Sequence, residues 1–173
     1  MQFDVPLARY TAALVGGTAD ADALERMTDV ETETLVLHER GEWRAGRDLG
    51  PDWERMLAGL DNLRAELLAR AVRDLWADCL ETLPALLARE AAGALHFWFA
   101  NLEGMRRELA PELVAAYGDW TGGDADPLRA AAAAGAEHWR TVARRLISTY
   151  LDAPRGAAGD LEALSFRLPE LAR

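Results

Sequence analysis

Pro84 to Leu109 reads PALLAREAAGALHFWFANLEGMRREL, and its spacing decides the fold class. Leu87, Ala91, Leu95, Trp98, Leu102, Met105 and Leu109 recur every three or four residues, the period of one helix face. Between Ala91 and Leu102 only His96 and Asn101 are distinctly polar. A helix that is apolar nearly all round belongs inside a bundle. The stretch therefore predicts a buried helix over about 84–109, started or bent by Pro84.

Two further long helices are expected on either side. Gly50-Pro51-Asp52 starts a helix well, and nothing breaks the pattern until Leu83-Pro84, so one helix of about 45 Å at 1.5 Å per residue is expected over 51–82. Its apolar band runs from Trp53 and Met56 through Leu60, Leu63, Leu67 and Leu68 to Val72, Leu75, Trp76 and Cys79. The band is broad enough to need contacts on more than one side. After the linker TGGDAD at 121–126, Asp126 reads as a cap and Pro127 as the first helical residue. Leu128, Ala132, Gly135, Trp139, Val142, Leu146 and Thr149 then follow the 4-3-4-3 spacing of a bundle seam over 127–151. Shorter helices are expected at 7–15, 19–27, 111–120 and 160–168.

Residues 27–41 carry a conflict. VETETLVLH alternates like a strand, but Thr28 and Glu31 fit a capping box and Gly41 fits a helix C-terminus. Two caps outweigh one alternation, so a helix is expected at 29–40. GEWRAGRDLG, 41–50, then reads as a surface loop with Trp43 folded over a bundle end. The whole is an all-α helical bundle, one domain over 1–173, built on helices at about 51–82, 84–109 and 127–151. The short N-terminal helices pack beside them.

Composition narrows the function. Among 173 residues there are 29 acids and 19 bases, a net charge of −10, and every base is arginine. The acidic excess lies in the first 120 residues, without a basic cluster, which argues against nucleic acid and anionic membranes as partners. No run approaches the roughly 18 apolar residues of a membrane span, and the first residues do not read as a secretory signal, so a cytoplasmic protein is expected. Cys79, the one cysteine, flanked by apolar helix positions, reads as a small buried hydrophobe.

Catalytic signals are thin. There is no Gly-x-Ser-x-Gly, the only serines being Ser148 and Ser165, and no phosphate-binding glycine loop. The arginine pairs 106–107 and 144–145 read as solvated faces. Of six tryptophans, Trp53, Trp76, Trp98 and Trp139 fall on apolar faces and are expected in the core.

His96 and His138 sit in similar surroundings, AAGALHF at 91–97 and AAGAEHW at 133–139. His96 lies about 200° round the helix from the seam residue Trp98, His138 about 100° from Trp139. A duplicated site would keep the face, so the echo is an accident of an alanine-rich chain.

Three functional expectations follow. The first is a non-enzymatic interaction or adaptor protein, homodimeric, whose broad apolar band is completed by a partner chain, with no cofactor. The second is a small-ligand sensor or carrier with a pocket lined by His96, Trp98, Glu103 and Trp139. The third is a metal-dependent bundle enzyme using His38, His96 and His138, each with a same-face neighbour seven residues away in Glu31, Glu103 and Arg145. No HExxH or Glu-x-x-His accompanies them.

Overall fold

The computed structural model describes residues 4–15 and 21–154. Among these every regular element is helical, as the apolar periodicity requires. Nine α-helices run in order: α1 Asp4–Val15, α2 Ala21–Leu49, α3 Pro51–Gly59, α4 Leu63–Ala77, α5 Leu83–Ala88, α6 Ala92–Ala100, α7 Gly104–Leu109, α8 Pro111–Thr121 and α9 Asp126–Asp152. A single π-helical turn, Asp78–Thr82, joins α4 to α5.

The expected helix at 127–151 is present as α9, and its seam residues Leu128, Ala132, Gly135, Trp139, Val142 and Leu146 are all buried. Asp126 does not cap it; its amide instead donates to the Asp124 carboxylate at 3.1 Å. The expected helix at 51–82 is two. Gly59 ends α3, and Asn62 caps α4 by accepting from the amides of Arg64 (2.8 Å) and Ala65 (3.3 Å). The chain then continues helically through Pro84 instead of stopping before it. In an α-turn the proline ring would press on the Leu80 carbonyl. The wider π turn just ahead of it, closed by the Leu83 amide on the Asp78 carbonyl, lets the rod run on to Ala88. The expected helix at 84–109 is correspondingly three pieces. It breaks at Glu90, which takes a positive φ of 54°, and again before Gly104, at φ 53°.

The largest correction is α2. The expected helix at 29–40 with a loop at 41–50 is one helix to Leu49, and the separate helix at 19–27 is its beginning. The capping box does not form: Thr28 Oγ1 donates to the Leu24 carbonyl of the preceding turn, and Glu31 receives the Tyr10 hydroxyl at 2.8 Å. Gly41 is not a terminus. A Cβ there would stand 2.5 Å from the Ala77 carbonyl oxygen, so the glycine lets α2 lie against the last turn of α4. The expected helix at 160–168 lies outside the described residues.

The rod from Leu63 to Ala88 lies at the centre, with α2 on one side and α9 on the other; α8 lines α9, and α1 packs on α6. Trp53, Trp76, Trp98 and Trp139 are all in the core. Most of the apolar band of 53–80 is covered by this chain itself, with Leu63 and Leu67 left exposed. At α9 the close approach repeats. A Cβ on Gly135 would stand 2.5 Å from Cys79 Sγ, so glycines receive the rod on both sides, at Ala77 and Cys79. No helix is long and apolar enough to cross a membrane among the described residues.

A methyl group at position 41 has no space to enter except by moving backbone. Gly41→Ala is expected to lower stability by about 1–3 kcal/mol, the usual cost of overpacking. Gly46→Ala, with nothing within 4 Å of the added Cβ, should be neutral or stabilising by up to about 1 kcal/mol. Urea midpoints at an unchanged slope measure the contrast; equal effects would show that the α2–α4 contact is loose.

Candidate functional site

Where α2 crosses the π turn, a half-buried polar centre interrupts the core. Two i,i+4 pairs face one another, His38 and Glu42 on α2, Asp74 and Asp78 on the central rod. Residues four apart share a helix face, and the Gly41–Ala77 contact brings the two faces together. His38 Nδ1 donates to Asp78 Oδ1 at 2.8 Å, and its Nε2 lies 3.3 Å from Glu42 Oε1. Arg73 Nη2 reaches Glu42 Oε1 at 2.7 Å and Asp74 Oδ1 at 3.4 Å. Arg106, from α7, stands 3.5 Å from the other oxygen of Asp78. The side chain of Asp78 is 0 % exposed. A carboxylate so placed is tolerated only with hydrogen bonds and opposite charge around it. His38 and Arg106 supply both.

The geometry sets the proton positions. The Asp78 hydrogen bond, and after it that of Glu42, raises the His38 pKa to about 10 against the desolvation that opposes it. Glu42 is held down at about 2, first by His38. Asp74 is pushed up to about 6, mainly by burial and then by its contact with Glu42. One step along the π turn, Glu81 is bracketed by Arg40 (2.8 Å) and Arg44. Cys79, fully buried, has its thiol pKa raised by desolvation, as suits a packing residue and not a nucleophile.

The outer side of α2 has the opposite character. Leu35 (56 % exposed), Val36 (52 %) and Trp43 (62 %) stand out from it. With Thr32, Glu39 and Arg40 they line a shallow open groove of about 410 Å³. Arg47 lies 4.7 Å over the Trp43 ring. The tryptophan thus neither folds over a bundle end nor belongs to a loop.

Residues 2–166 match the model of a family described as the DUF6866 C-terminal domain, a family of unknown function. The chain belongs to that family. No curated protein and no solved structure matches it.

Within this DUF6866 C-terminal domain the three histidines go separate ways. His38 gathers with Glu42 and Asp74, their ligand atoms within 4.8 Å of one another. His96 instead has the Tyr117 hydroxyl 2.8 Å from Nδ1 and the Trp120 ring 5.0 Å away, and His138 stands edge-on to Trp139. A three-histidine centre is thus not assembled. Of the expected pocket residues, His96 joins Tyr117 and Trp120, and Trp98 lies edge-on to Phe99 in the core. Trp139 is fully buried, and Glu103 is exposed just before α7. The seven-residue neighbour Glu31 serves Tyr10, not His38. Arg106 is not on a solvated face as expected; it reaches Asp78.

A helix end at Gly41 would separate Glu42 from His38. Once the helix runs on, His38-x-x-x-Glu42 and Asp74-x-x-x-Asp78 are readable as two facing i,i+4 pairs.

The histidines should separate in an NMR titration of the imidazole C–H signals of chelator-treated protein. His38 is expected to stay protonated until about pH 10. Its folded pKa is above the unfolded value, so its contribution to stability is full below that value and is lost as pH rises through about 10. His96 should titrate below 6.5, because burial and then Arg9 disfavour its charge. A His38 signal titrating near 6.5 would mean that the ion pairs do not form in solution.

Proposed function

We propose that this domain is a non-catalytic helical interaction protein that pairs with a second copy of itself through the outer face of α2. The observation that carries the reading is the exposure of Trp43, Val36 and Leu35 on the side of α2 turned away from the core. A large aromatic beside arginine has the composition of an interface anchor. Thr32, Val36, Glu39 and Trp43 have the 4-3-4 spacing of a helix–helix seam, flanked by Leu35 and Arg40.

Charge selects the occupant. In an antiparallel pair of α2 helices with the two-fold axis between positions 39 and 40, Glu39 of one copy meets Arg40 of the other. Val36 meets Trp43 in the same register. A two-fold interface must be self-complementary, and this register matches opposite charges and pairs apolar groups. Glu39 inside the seam would fix that register at some cost in stability. The alternative, a carrier of small ligands, draws on His96 between Tyr117 and Trp120; there the rings already stack on one another, Tyr117 on Phe99 and Trp120 on Tyr117.

Light scattering coupled to size exclusion is expected to give a dimer at tens of micromolar. Trp43→Glu should give a monomer with unchanged helical circular dichroism, since the side chain contributes little to its own fold. Glu39→Cys, near the axis, should oxidise to a linked dimer, whereas Glu25→Cys, about 43 Å from its counterpart by helix rise, should not. A wild-type monomer would end the proposal. A dimer unaffected by Trp43→Glu would move the interface elsewhere.

A further inference from the structure

The polar centre on the inner side of α2 also gathers three metal-ligating side chains. His38 Nδ1–H is committed to Asp78, a carboxylate with no exposure at all. That fixes the ring and turns Nε2 toward Glu42, 3.3 Å away. Asp74 completes a set of three ligand atoms, each within 4.8 Å of the others. A histidine that ligates a metal almost always gives its other ring nitrogen to a carboxylate or carbonyl in this way. The two other ligand atoms near Nε2 are carboxylate oxygens, one from each helix. An imidazole lone pair and two adjacent carboxylates need a positive charge among them, either a proton or a cation.

We propose that His38, Glu42 and Asp74 form a binding site for a divalent transition ion of the zinc or manganese kind, with Asp78 orienting the histidine. One nitrogen and two carboxylate oxygens are a donor set for such ions. The ligands come from rigid helices locked together at Gly41 and Ala77. Asp78 opens the π turn, and such turns within α-helices occur often at functional positions. Side-chain exposures of 20–25 % leave the three ligands open to entry from solvent.

Arg73 is the competitor. Its guanidinium touches Glu42 and Asp74 from the same chain segment and supplies there the positive charge that an ion would bring. It is the residue that must swing aside when an ion enters. A centre that is only an ion-pair network and one that takes a cation therefore respond oppositely to its removal.

The test is titration of chelator-stripped full-length protein with Zn²⁺ and, separately, Mn²⁺, followed by calorimetry and by the shift in melting temperature. The expected result is one saturable site that raises the melting temperature. His38→Gln and Asp74→Asn should each weaken it by at least about tenfold, as loss of site groups does. Arg73→Gln should tighten it. If His38→Gln fails to fold, the nearly isosteric Asp74→Asn decides. Absence of saturable binding in both the wild type and Arg73→Gln would overturn the proposal. So would binding that His38→Gln, folded, and Asp74→Asn leave unchanged.

Discussion

The contact between Gly41 and the carbonyl of Ala77 is the constraint on which the rest of the structure depends. Two helices normally pack 8–10 Å apart, the distance being set by the side chains between them. Here one partner contributes no side chain, so the α2 backbone comes down onto the end of α4. Everything decisive lies within a turn of that point. His38 and Glu42 are brought to Asp74 and Asp78, and Arg40 and Arg44 are brought to Glu81. On the far side of the rod, Gly135 does the same for Cys79. The central rod is held within a single turn, at Ala77 and Cys79, by two helices that each approach it with a glycine.

That tight crossing explains how charge can be buried next to tryptophans. Removing one partner from a buried ion pair typically costs about 3–5 kcal/mol, because the other charge is stranded. Replacing the whole set by apolar residues is often neutral or better. Stability is therefore a weak reason for the centre to exist. Geometry is a stronger one: Asp78 stands where α4 passes into the π turn, its amide still bonded to the Asp74 carbonyl, so both carboxylates lie on the face that α2 meets.

The fold class was legible from the sequence because helical periodicity is a local property. The spacing of Leu128 through Leu146 was enough to give α9 nearly residue for residue. The errors share one cause. Gly41, Pro84 and Glu31 each have a strong local meaning as terminus, breaker and cap. Gly41 and Glu31 were reassigned by contacts distant in sequence, with Ala77 and with Tyr10 across 21 residues, and Pro84 by the π turn just ahead of it. Tertiary contacts override such signals when the local preference is worth only about 1 kcal/mol. The polar centre followed the same logic. His38 was visible as a candidate, but its partner Glu42 lay beyond a helix end that does not exist. By i,i+4 spacing alone Asp74 reads as the surface partner of Arg70, whereas Arg70 turns outward to Glu66.

Helix α2 carries both features of functional interest on opposite sides, and this bears on how they relate. Around a regular helix, Leu37, Gly41 and Ala45 mark the inner line, and Thr32, Val36, Glu39 and Trp43 lie roughly on the far side of the axis. Arg40 belongs to both. It lines the outer groove and pairs with Glu81 of the π turn. A helix anchored only by apolar packing can slide or rotate by small steps at little cost, because hydrophobic contact is not directional. Charge-assisted hydrogen bonds from His38, Arg40, Glu42 and Arg44 are directional, and they pin the rotation of α2 about its own axis. A self-complementary pairing that sets Glu39 against Arg40 depends on that angle being fixed. The inner charges thus do for the outer face what the core could not. They determine which residues α2 presents, while the core determines only that it is present.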